Sequence, residues 1–201
     1  MTKSWLLLLG ALAMLAGVIL WVGTAASGRA VDAGDTPHYT ADGQLLFPAN
    51  YREWVFLTSS IDMSYSDRPV HQFDNVFVPR AAYRAFLKNG VWPDQTVLIL
   101  ENRGVSSNGS ITRSGQFQTG AVTGLEAHVK DAARFEGGWG FFGFNDARQP
   151  ADLFSYDAAC YSCHRQHAAA DTTFVQFYPT LLPVATRLGA LNPLYVKATS
   201  K

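Results

Sequence analysis

A chain of 201 residues with 16 basic and 16 acidic side chains carries no net charge and no basic block, which argues against a nucleic-acid partner. Its length holds one domain with a sizeable core once an export segment is set aside. The 13 Phe, 8 Tyr and 5 Trp suit the lining of a flat apolar cofactor and equally a β-rich core, and the only two Cys share one motif, so no structural disulfide is available.

Met1-Thr2-Lys3-Ser4 is short and positive, residues 5 to 22 are apolar without a charge, and residues 23 to 27 are small and polar. Residues 1–27 therefore read as an export segment: a signal peptide cut after Ala26, or an uncleaved anchor, since the run approaches spanning length. No Cys follows it, so a lipoprotein anchor is not expected. The domain is expected in the periplasm, or tethered to the periplasmic face of the inner membrane through this segment alone. Residues 28–43 read as a linker, 44–190 as the folded domain and 191–201 as a tail.

Residues 51 to 58 are expected as the first strand and residues 73 to 78 as the next. Pro79 opens a helix with Tyr83, Phe86 and Leu87 on one face, stopped by Asn89-Gly90. Residues 95 to 100 read as a strand, 103 to 115 as a loop, and 117 to 129 as one or two further strands. Gly138, Gly140 and Gly143 fit a dinucleotide fingerprint by spacing, but aromatics fill the intervals and no strand–turn–helix context surrounds them. A Gly-interrupted aromatic strand is the better reading. From Ala151 the chain turns helical, with Asp171 capping a last helix that carries Phe174, Phe177, Tyr178, Leu181 and Leu182. Strands first and helices last make an α+β fold with an antiparallel sheet.

The chemistry concentrates at Cys160-Tyr161-Ser162-Cys163-His164. Two thiols spaced for the two vinyl groups, followed at once by an imidazole, form the attachment pattern for a covalent c-type haem. A zinc half-site would want a second ligand pair, and no other Cys exists; a thioredoxin-like pair needs no His after it. No second axial ligand stands out. Met63 lies in a polar loop, His167 follows one turn after His164 on the same side, His38 falls in the linker and His71 in a loop. His128 reads as a surface or packing histidine. An open iron position is expected, walled by strand aromatics among Phe56, Phe73, Phe77, Phe141 and Phe144. Glu53, Glu101 and Glu126 stand near strand ends as candidate bases, and none is assigned a catalytic role.

The segments Leu45-Leu46-Phe47-Pro48, Tyr51-Arg52-Glu53-Trp54, Val76-Phe77-Val78-Pro79, Gly124-Leu125-Glu126-Ala127-His128-Val129, Gly138-Trp139-Gly140-Phe141 and the Cys160–His164 motif occur in the order found in the cytochrome P-460 family, which the chain resembles over residues 44 to 182. The resemblance implies a cupped antiparallel sheet packed on helices, with the haem motif on a C-terminal helix. It also implies one haem c per chain, His164 as the proximal iron ligand, and a homodimer. Relatives with a lysine bonded to the porphyrin oxidise hydroxylamine or nitric oxide. Relatives without it, the cytochromes c′-beta, bind nitric oxide and carbon monoxide. Leu100 aligns with that lysine here, and the nearest lysines are Lys88 and Lys130. The expectation is thus an exported haem protein with an open site for a small gaseous or nitrogen-oxide ligand, with Leu100 in its wall. An oxidising enzyme and an electron carrier with a redox partner are the alternatives.

Overall fold

The computed structural model describes residues 35–64, 67, 70–109, 111, 113–156 and 158–200. The export segment expected over residues 1–27 lies outside them. No helix among the described residues is long and apolar enough to cross a membrane.

Five strands form one antiparallel sheet in chain order: β1 (Val55–Ile61), β2 (Gln72–Val78), β3 (Val97–Ser106), β4 (Phe117–Lys130) and β5 (Trp139–Phe144). Helix α1 (Arg80–Asn89) joins β2 to β3, and α2 (Ala159–His167), α3 (Leu182–Arg187) and α4 (Pro193–Thr199) follow the sheet. The α+β expectation holds. The aromatic run with its interspersed glycines is β5, and ring packing accounts for two of them. A Cβ on Gly140 would meet the Phe135 ring at 2.8 Å, and one on Gly143 would meet Phe154 at 2.6 Å.

Several boundaries differ from the sequence reading. Tyr51–Glu53 is a 3-10 turn, and the strand begins only at Val55. Tyr51 and Trp54 lie three residues apart, which would send them to opposite faces of a strand; the turn buries both. Strand β3 continues to Ser106, through a stretch whose Gly and Ser suggested a loop. There it pairs with the outer half of β4, whose side chains are mostly exposed, so pairing needs no apolar alternation. The expected long final helix is absent. Asp171 and Thr172 adopt positive φ, Val175–Phe177 is a single 3-10 turn, and α3 starts at Leu182. The residues expected as a tail from 191 onward include α4, capped by Asn192, whose Nδ2 donates to the carbonyls of Arg165 and Ala168 beside α2. At the other end, Tyr39 pairs with Leu45 and stacks on Arg134 at 3.9 Å, so packed structure reaches back before residue 44.

Both faces of the sheet are covered. One carries Val97, Ile99, Ala127, Val129, Phe142 and Phe144 against Leu45, Tyr51, Trp54 and Phe135. The other carries Val78 and Leu98 against Phe86 of α1, Trp92, Val175, Tyr178 and Leu181. Phe86 and Trp92 are almost fully buried with ring centroids 4.4 Å apart, each worth about 1.5–3 kcal/mol of burial. This second core occupies only part of its face, and a cavity takes the rest.

Candidate functional site

The cavity measures about 510 Å³ and lies between α2 and the sheet. Helix α2 has no buried residue, because its inner side opens onto this space and not onto a core. Cys160, Cys163 and His164 all line it, and both cysteines are free thiols. Burial pushes the Cys160 thiol up, and the neighbouring Glu126 charge adds to the shift. His164 Nδ1 lies 3.0 Å from the Thr172 carbonyl oxygen. A carbonyl only accepts, so Nδ1 carries the proton and Nε2 is left with a lone pair. Burial holds this imidazole down at about 4, against the partial opposition of the Thr172 bond. It is therefore neutral at pH 7, the state a metal ligand requires.

His128 is not a surface residue. It sits in the cavity wall, stacked on Phe141 at 4.1 Å and edge-on to His164 at 4.7 Å. Its Nε2 is buried without a hydrogen-bond partner, and burial, then His164, holds its pKa well below the ordinary value. His167 is exposed on α2, and His71 pairs at the surface with Asp62 at 3.1 Å. Met63 does line the cavity, from the chain two residues beyond the end of β1.

Strand parity decides the opposite wall. Leu98 pairs with His128, Leu100 with Glu126, and Val76 with Leu100; with Asp74 and Asn102 they share the face that looks at α2. Phe141 and Leu100 therefore line the cavity. Phe73, Phe77 and Phe144 alternate with residues that line it and fall on the other face. Phe77 packs on Tyr51, Phe144 on Phe47, and Phe56 is half exposed beside Phe77. A one-residue offset moves a side chain through the sheet, and aromatic content alone does not reveal which side is which.

The sheet wall is accordingly more polar than expected. Asp74 is buried and accepts hydrogen bonds from Asn102 Nδ2 at 2.5 Å, Gln72 Nε2 at 2.8 Å and Ser60 Oγ at 3.2 Å. Glu126 opens onto the cavity beside this group, and burial, then the Asp74 charge, raises its pKa. Of the other two carboxylates, Glu53 is exposed, and Glu101 is buried on the far face. There Tyr51, Arg52 and Arg103 all donate to it. Among the described residues no lysine lines the cavity. Lys88 is exposed on α1, and Lys130 Nζ donates to Trp92 O and Asp171 Oδ2, each at 2.7 Å.

A model of the cytochrome P460 family matches residues 48–175. The chain belongs to the cytochrome P460 family. No curated protein matches it. Membership implies haem c, and the residues present fit that group. Two free thiols and a neutral imidazole with its Nε2 available converge on one cavity, and the wall holds an orphaned His128 Nε2. The parity of Glu126 and His128 could have been found in the sequence. Leu125, Ala127 and Val129 interleave with them, so one set of the two had to face away from the apolar core. The Thr172 carbonyl left no such signal.

Proposed function

We propose that this member of the cytochrome P460 family is a one-haem, c-type cytochrome that binds hydroxylamine or a similar small nitrogen compound in the α2–sheet cavity and oxidises it. Glu126 is its proton acceptor. The observation that carries this reading is the placement of Glu126 in the cavity wall next to Asp74. The haem, when bound, supplies a redox-active iron with a coordination position open to a small ligand. Cys160 and Cys163 would hold it covalently, and His164 Nε2 would be its protein ligand. A carboxyl raised by burial and by a like charge sits nearer the operating pH than an ordinary Glu, which suits transfer of protons from an N–H or O–H group. Asp74 is held in place by three donors. Leu98, Leu100 and Val76 keep the adjacent wall dry, which favours neutral ligands over ions.

The second reading is reversible binding of nitric oxide or carbon monoxide, and Leu100 in the wall favours it, because no amine there can bond a porphyrin. Absorption spectra of the reduced protein with and without carbon monoxide, together with hydroxylamine turnover in the presence of an electron acceptor, separate the two. Under the first reading Glu126→Gln lowers turnover at least tenfold and leaves carbon monoxide binding unchanged. Carbon monoxide binding with no turnover by the unaltered protein leaves the second reading standing, and a spectrum indifferent to carbon monoxide removes both.

A further inference from the structure

Asp171 and Thr172 are adjacent, neither is Gly, and both hold positive φ, at 46° and 57°. Such a pair persists only where its surroundings over-determine it. They do so here. Asp171 Oδ2 accepts from the Trp92 backbone N–H and from Lys130 Nζ, each at 2.7 Å, while Lys130 Nζ also donates to the Trp92 carbonyl. Trp92 Nε1 donates to Thr173 Oγ1 at 2.9 Å, which in turn donates to Ala170 O at 2.8 Å and closes the turn. From this clamped turn the Thr172 carbonyl accepts from His164 Nδ1 at 3.0 Å, and the adjoining Phe174 ring packs on the same imidazole at 4.2 Å.

We propose that Asp171 and Lys130 are positioning residues for His164: by clamping the Ala170–Thr173 turn they fix the tautomer, rotation and basicity of the imidazole that would ligate the iron. The inference rests on the haem reading above. An ion pair that merely stapled β4 to this turn would stabilise the fold without reaching the metal. A carbonyl held on Nδ1–H gives the ring more imidazolate character, which strengthens the iron–nitrogen bond and lowers the reduction potential.

The test is resonance Raman spectroscopy of the reduced holoprotein, for the iron–histidine stretch, with reduction potentials measured alongside. Asp171→Ala and Lys130→Met should each lower the stretching frequency and raise the potential. Thr172→Gly, which keeps the carbonyl and tolerates positive φ, should match the parent protein in both. Wild-type frequency and potential in Asp171→Ala and Lys130→Met, with haem retained, would overturn the positioning role alone. Should Asp171→Ala fail to fold, Lys130→Met decides, because it leaves the Asp171–Trp92 bond in place. Haem missing from the unaltered protein would overturn the haem reading and this inference with it.

Discussion

Lys130 shows how a single side chain can be placed only by its contacts. On sequence it is one of two amines near enough to Leu100 to raise the question of a bond to the porphyrin. In the structure its Nζ is committed to Trp92 O and Asp171 Oδ2, and it lies over the Trp139 ring at 5.6 Å. An amine engaged by a carboxylate and a carbonyl, and absent from the cavity wall, is not placed to bond a porphyrin there. Leu100 offers no nucleophilic atom at all. Tryptic mapping of the holoprotein should therefore find haem only on the peptide that contains Cys160 and Cys163. A second haem-bearing peptide with Lys88 or Lys130 would contradict this.

Elements were legible in the sequence where local chemistry decides them. Pro79 and Gly90 bracket α1, and Gly90 adopts the left-handed conformation that ends the helix, at φ 74°. A Cβ there would also meet the Ala190 Cβ at 2.8 Å, in the segment after α3. Gly90→Ala should cost about 1–2 kcal/mol from backbone strain, and more from the clash, read as a lowered midpoint in denaturant. An unchanged midpoint would mean that the neighbouring segment yields freely. Where distant contacts decide, local chemistry misleads. Asp171 has the character of a helix cap, but its carboxylate is taken by Trp92 and Lys130, and no long helix follows. Val105 and Ser106 resemble the loop that follows them until β4 pairs with them. Cys160, Cys163 and His164, by contrast, are picked out by their spacing alone, and all three lie on α2 and line the cavity.

At the scale of the molecule, β3 and β4 carry two carboxylates through one sheet to opposite fates, and this gives stability a two-sided dependence on pH. Glu101 is 2% exposed on the far face. Burial alone would raise its pKa, but hydrogen bonds from Arg103, Tyr51 and Arg52 outweigh it and hold the carboxyl at about 2, against an ordinary 4.5. A lowered carboxylate stabilises the fold fully above its unfolded pKa and loses that contribution as pH falls from 4.5 toward 2. The shift corresponds to on the order of 3 kcal/mol, less whatever solvent screens from the exposed Arg52 arm. Glu126 has the opposite sign. Its pKa is raised by burial and by Asp74, so ionisation opposes the folded state, and its effect sets in as pH rises above 4.5. Glu101→Gln should lower the melting temperature at pH 7, with the deficit shrinking as pH falls through 4.5. Glu126→Gln should raise it at pH 7, with the gain vanishing at pH 4 and below. A melting temperature for Glu126→Gln equal to that of the parent protein at every pH would mean that the cavity wall ionises Glu126 without penalty. In that case the carboxyl would not be tuned for proton transfer. The expected result would mark the cavity wall as a place where a titratable group costs stability, in keeping with the proton transfer proposed for Glu126.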